Sequence, residues 1–216
     1  MNFTKISKVG AGLFALSAIL FSAPSQAAQP AIAFSTATTQ VLSDFTIGYR
    51  FTVGASAITV TQLGVFDKNG DGLLSSHDVG IWDSTGTTLL ASGTVASGVA
   101  GSLTANFRYV SIADLVLSAG TSYLIGSTAG LDEWGFNTYT DLVVDPALTV
   151  NENRYTAGAV LAAPTTNNPA FPLFAGPNFQ YATPGGVVPE PGTIALLLAS
   201  GFSSLGVLAR NRRIRK

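Results

Sequence analysis

The chain contains no cysteine and only one histidine, His77. Without thiols there is no thiol catalysis, no iron–sulfur ligation and no thiolate zinc site. Disulfide staples are also absent, and a domain of roughly 150 residues can bury enough core to do without them. Charge is scarce as well, at 11% of the chain against about 25% in an average soluble protein. Basic residues are rarest in the middle, where residues 28–181 hold only Arg50, Lys68, Arg108 and Arg154 against eleven acids, a formal charge of −7. So acidic a segment repels nucleic-acid phosphates, which argues against nucleic acid as a partner. Finally, no segment between residues 30 and 180 shows the 3.6-residue apolar period of a helix.

The chain is instead rich in small and β-branched residues, including 23 glycines, a mixture that favours strands and tight turns. Phe45, Ile47, Tyr49, Phe51 and Val53 alternate with polar or small residues, as on a strand with one buried face. Ile58–Val60 with Leu63–Val65, then Val79–Trp82 and Thr87–Val95, continue the pattern, and Asp83-Ser84-Thr85-Gly86 is a hairpin turn. Leu103, Ala105, Phe107 and Tyr109 read as one alternating strand, and Leu115–Leu117, Ser118–Gly120 and Tyr123–Ile125 as strand, turn, strand. Residues 162–178, with Pro164, Pro169, Pro172 and Pro177, predict a long loop, and Phe179–Tyr181 a closing strand. The expected fold of residues 28–181 is therefore all-β, an antiparallel sandwich of jelly-roll or immunoglobulin-like type.

The two ends carry different signals. Residues 1–27 have the form of a secretory signal peptide: Lys5 and Lys8, the apolar run Val9–Phe21, then small residues at Ser25 and Ala27, with signal peptidase expected to cut after Ala27. At the other end, a Gly-containing linker over residues 182–188 leads to Pro189-Glu190-Pro191-Gly192. Residues 192–209 form an uncharged run which, as a helix at ~1.5 Å per residue, would be about 27 Å long and cross a thin bilayer core. The basic tail over residues 210–216 holds Arg210, Arg212, Arg213, Arg215 and Lys216, predicting a cytoplasmic C-terminus and an exported domain.

This ordered tail resembles the PEP-CTERM sorting signal of Gram-negative bacteria, carried by Pro189, Glu190 and Pro191, the apolar span and the arginine-rich end. The resemblance implies that a membrane-embedded exosortase is a partner. It would cut near the motif and release the protein to the cell surface or beyond, in the company of exopolysaccharide and biofilm. The central segment resembles an uncharacterised group of bacterial secreted β-sandwich domains, carried by Leu63–Asp67, Asp71-Gly72-Leu73, Ser76–Asp83, Phe107-Arg108-Tyr109 and Leu117–Tyr123. That resemblance implies fold and location, and no reaction.

One stretch has the spacing of a ligand site. From Asp67 to Asp78, oxygen side chains fall at positions one, three, five, nine and twelve, with Gly72 at six, which resembles an EF-hand-type calcium loop. Asp67, Asn69, Asp71, Ser75 and Asp78 would offer side chains and Leu73 its carbonyl, making calcium the one candidate cofactor. The same residues also read as a long hairpin connection, since Asn69-Gly70 and Asp71-Gly72 turn without any metal. His77 has no nucleophile-elbow serine beside it and reads as a hydrogen-bonding or exposed residue. Asp132 and Glu133 are adjacent, which suits surface charges better than a catalytic pair. Trp134 and Phe136, in a loop-like stretch, are the aromatic pair expected to be exposed, and so the candidate glycan contact. These features point to a non-enzymatic exported surface or matrix protein, with a carbohydrate-binding module acting on exopolysaccharide as the alternative.

Overall fold

The computed structural model describes residues 28–182, so the signal segment, most of the linker, the sorting motif, the apolar span and the basic tail lie outside the described residues. The described part contains no helix, and none of it is a helix long and apolar enough to cross a membrane. In chain order the strands are β1 (Gln29–Pro30), β2 (Ile32–Ala33), β3 (Thr36–Gln40), β4 (Phe45–Val53), β5 (Ile58–Phe66), β6 (His77–Asp83) and β7 (Leu89–Val95). They continue as β8 (Ser102–Thr104), β9 (Phe107–Leu117), β10 (Ser122–Thr128), β11 (Trp134–Thr140), β12 (Val143–Val144), β13 (Leu148–Ala157) and β14 (Pro177–Ala182).

Two five-stranded antiparallel sheets form the body, in the orders β1-β14-β5-β9-β8 and β13-β4-β10-β6-β7. Period-two alternation turns Tyr49, Phe51 and Val53 of one sheet toward Val60, Leu63 and Phe179 of the other, all within one buried cluster. The Phe51 and Phe179 rings meet across the interior with centroids 4.9 Å apart. The turns fit the sequence: Asp83–Gly86 closes the β6–β7 hairpin, with Gly86 at φ 76° donating its amide to the Asp83 carbonyl.

Three local expectations change. Leu103 to Tyr109 is not one strand. Ala105 and Asn106, at φ 49° and 62°, form a two-residue turn between β8 and β9, which pair as a hairpin. β13 is ten residues long and pairs along the whole of β4, in a stretch to which the sequence pattern assigns no strand above. The proline-containing segment after β13 is a loop, as predicted, but a packed one. Ala162 donates its amide to the buried Thr46 hydroxyl, and Leu173, Phe174 and Ala175 are buried.

Register fixes the two ends of the sandwich. One end gathers the end of β5, the starts of β6, β9 and β14, and the ends of β10 and β13. The opposite end holds the last residue of β14, Ala182, beside Thr59, and Gln29 beside Tyr181. The described segment is therefore entered and left at one end. The 67–76 connection lies at the other, roughly 20 Å away along the six residues of β14.

Candidate functional site

The far end is closed by an aromatic plug and a polar latch. Phe45 and Ile47 at the start of β4 meet Trp134 and Phe136 of β11 and Phe171 and Phe174 of the long loop in a second buried cluster. Trp134 and Phe136 share a face because they are two residues apart on a strand, and their rings touch at 6.0 Å. This corrects the expected exposure of the pair. Trp134 is only 4% exposed, its ring is spent on Phe174 at 5.2 Å, and Phe136 is half-buried against Phe171 at 5.4 Å. The stretch that reads as loop-like is strand β11, and burial of so large a ring against Phe174 is favourable.

The 67–76 connection is held by side chains that the sequence reading did not connect with it. Asp67, the first candidate calcium ligand, is buried, and its Oδ2 accepts the Arg108 Nε at 2.5 Å and the Gly72 amide at 3.1 Å. Arg108 also donates to the Gly70 carbonyl at 2.8 Å and the Val99 carbonyl at 3.1 Å, so one guanidinium fastens two loops. Leu73 is buried, and its carbonyl accepts the Gly98 amide at 2.7 Å while its own amide returns the bond at 3.1 Å. Asp78 lies on β6 and accepts the Thr94 hydroxyl at 2.6 Å. Asn69 and Asp71 are exposed.

The remaining candidate, Ser75, belongs to a polar cluster with Leu74, His77, Thr128 and Asp132. Asp132 accepts the Leu74 amide at 2.7 Å on Oδ1, and the Ser75 amide at 3.0 Å and Ser75 Oγ at 3.1 Å on Oδ2. His77 Nε2 lies 2.8 Å from the same Oδ2, and His77 Nδ1 lies 2.7 Å from the Thr128 carbonyl. Although burial alone would raise it, the donors from His77, Leu74 and Ser75 hold the Asp132 carboxyl below the usual carboxylate range. His77 is thus a buried strand residue that hydrogen-bonds. Asp132, expected at the surface, is instead mostly enclosed, because the connection supplies it with amide donors. Glu133 does lie at the surface, beside Lys68 at 2.8 Å.

Ser75, His77 and Asp132 are the residue types of a hydrolytic triad, but their arrangement differs. A triad places acid and nucleophile on opposite ring nitrogens. Here Ser75 Oγ, at 3.3 Å, and Asp132 both face Nε2, and Nδ1 is taken by a backbone carbonyl. The adjoining crevice, lined by His77, Thr128, Asp132 and Trp134, has room for about one water molecule. What this geometry does is bind two loops together.

Calcium fits the loop poorly as it is folded. Asp67, Leu73, Ser75 and Asp78 are all engaged by protein partners, and among the described residues no three carboxylate or imidazole side chains converge to hold a metal. A six-oxygen cage would have to share the Asp67 carboxylate, whose Oδ2 already holds the buried Arg108 guanidinium.

Comparison with known proteins adds no assignment: no family model matches the chain, and no curated protein matches it.

Proposed function

We propose that this is an exported, non-enzymatic surface or matrix protein whose sandwich is a stable display body, delivered by a signal peptide and sorted by an exosortase-type enzyme. The observation that carries the reading is the ordered C-terminal signal: Pro189-Glu190-Pro191, the uncharged run to Ala209, and five cations in the last seven residues. Each part has a physical role. In this reading the residue before a proline favours an extended form that a protease could grip, the apolar run would halt in lipid, and the arginines would fix its direction. The fold supports the reading in one respect. The chain enters and leaves the sandwich at the same end, so a tether at the C-terminus would point the 67–76 and 129–133 loops away from the membrane. The jelly-roll or immunoglobulin-like description of the sandwich and the association with exopolysaccharide belong to this proposal.

The test is to express the full chain in hosts with and without an exosortase and to measure the mass of the mature protein. Loss of the C-terminal cassette only where the enzyme is present supports the proposal, and Glu190→Ala should block it. Intact, untrimmed protein in both hosts would end it.

A further inference from the structure

Asn69-Gly70 is the one asparagine–glycine step in the chain and Asp71-Gly72 the one aspartate–glycine step, and they stand side by side in the 67–76 connection. An asparagine side chain is open to attack by the backbone nitrogen of the next residue, which closes a cyclic imide. Glycine permits that approach best, because it has no side chain in the way and the freest backbone. Asn69 and Asp71 are both exposed, and no described residue hydrogen-bonds the Asn69 side chain. Exposure and sequence together make this run reactive.

The fold controls both attacking nitrogens through a single residue. The Gly70 amide donates to the Asp67 carbonyl at 3.1 Å, and the Gly72 amide donates to Asp67 Oδ2 at 3.1 Å. Asp67 is fixed in turn by Arg108, which also donates to the Gly70 carbonyl at 2.8 Å. The two holds differ in strength. Gly72 is bound to the buried carboxylate of an ion pair, a charge-assisted bond. Gly70 is bound to a neutral backbone carbonyl, the weaker acceptor. When the connection opens locally, the Gly70 nitrogen is therefore released first, and the side chain it meets is the amide of Asn69.

We propose that Asn69 is a site of spontaneous deamidation and that the Asp67–Arg108 pair sets its rate. The only co-reactant is water. The Gly70 nitrogen attacks Asn69 Cγ, and the bond from Cγ to Nδ2 breaks. Nδ2 leaves as ammonia and takes up the proton that the Gly70 nitrogen gives up. Water then opens the imide at either carbonyl. One opening leaves a carboxylate at position 69 on an unchanged main chain. The other routes the main chain through Cβ, which adds a carbon to the backbone. Either product adds negative charge to a segment that is already acidic. The second also lengthens the turn between Asp67 and Gly70, so the bond from the Gly70 amide to the Asp67 carbonyl no longer closes as it does now.

The test incubates the full-length chain in detergent and mildly alkaline buffer. Peptide mass spectrometry reads the conversion of amide to acid at each asparagine, and an isoaspartyl methyltransferase reads the rearranged product. Asn137 is the internal control, since it is also exposed but is followed by Thr138. In the native chain Asn69 should convert several-fold faster than Asn137, and in urea several-fold faster again, because unfolding frees the Gly70 nitrogen. Arg108→Met should bring the native rate at Asn69 toward the urea rate while Asn137 stays slow. Gly70→Ala, compared with wild type in urea where folding plays no part, should slow conversion at Asn69 several-fold. Equal native rates at Asn69 and Asn137, equal rates at Asn69 in native and urea conditions, or a folded Arg108→Met that converts no faster than wild type would overturn the proposal. If Arg108→Met does not fold, the native and urea rates of the wild-type chain decide.

Discussion

Arg108 and Asp67 form a buried ion pair that spans 41 residues of sequence and fixes the start of the 67–76 connection to the second strand of a hairpin. Both side chains are almost fully enclosed, at 5% and 2% exposure. Removing one member leaves the other charged and without its partner in the interior. Arg108→Met is therefore expected to destabilise the 28–182 domain by about 3–5 kcal/mol in urea denaturation. The paired change Asp67→Leu with Arg108→Met removes both charges and should recover a large part of that loss. If the double variant is as unstable as the single one, the connection depends on Arg108 for its bonds to Gly70 and Val99 more than for charge balance.

The β8–β9 turn makes a prediction of opposite sign. Ala105 stands at φ 49°, where its Cβ crowds the backbone, and Asn106 follows at φ 62°. Glycine occupies that conformation freely, so Ala105→Gly should stabilise the domain by about 0.5–1 kcal/mol, read as a rise in melting temperature. The gain is offset in part by the greater freedom of glycine in the unfolded chain. A fall in melting temperature would mean that this cost dominates.

That turn also shows where the sequence could be read and where it could not. Alternation identified the strands of the body because one face of each is buried, and Asn-Gly, Asp-Gly and Thr-Gly pairs marked connections. The hairpin at Ala105-Asn106 was hidden because neither residue announces a left-handed turn as glycine does, and the alternation ran unbroken through it. Asp67 was legible as a chain of oxygen spacings but not as the partner of Arg108, since nothing local links positions so far apart. Trp134 was misplaced for the same reason. Its burial comes from Phe171 and Phe174, more than thirty residues onward in a loop with no periodicity to predict its path. Asp132 was legible only as a charge, and its enclosure depends on amides from the opposite loop.

Two tyrosines test the interior. Tyr49 and Tyr109 are buried with hydroxyls that have no hydrogen-bond partner in the protein, and burial pushes both phenols well above their ordinary range. An unpaired buried hydroxyl carries a desolvation cost of about 1–3 kcal/mol. Tyr49→Phe removes that group and keeps the ring against Phe51, so it should be neutral or stabilising in thermal melts. Tyr49→Ala should cost about 3–5 kcal/mol through the cavity it leaves. A clear loss in Tyr49→Phe would show that the hydroxyl has a partner after all.

Acid should loosen the latch. The folded Asp132 carboxyl is held below its ordinary value of 3.8, so it binds a proton less readily than in the unfolded chain. Its contribution is fully present above that value and is lost as pH falls through and below it. Between pH 5 and pH 3 the wild-type domain should therefore lose more stability than Asp132→Asn, which has no carboxyl to titrate. The two melting curves should converge as the pH drops. Parallel curves would show that Asp132 is not the group responsible.

Calcium decides between the two readings of residues 67–78. The spacing of Asp67, Asn69, Asp71, Ser75 and Asp78 suits a hard cation, and extracellular loops of this kind bind at about 10⁻⁴–10⁻³ M. The folded loop answers differently, because Arg108 already neutralises Asp67 and Gly98 already occupies the Leu73 carbonyl. Millimolar calcium should leave the melting temperature of the 28–182 domain where millimolar magnesium leaves it, and Asp71→Ala should change neither. A calcium-specific rise abolished by Asp71→Ala would mean that the cation rebuilds the connection. In that case Arg108→Met, with no guanidinium competing for Asp67, should bind calcium more tightly than wild type, an outcome that a fixed hairpin connection does not allow.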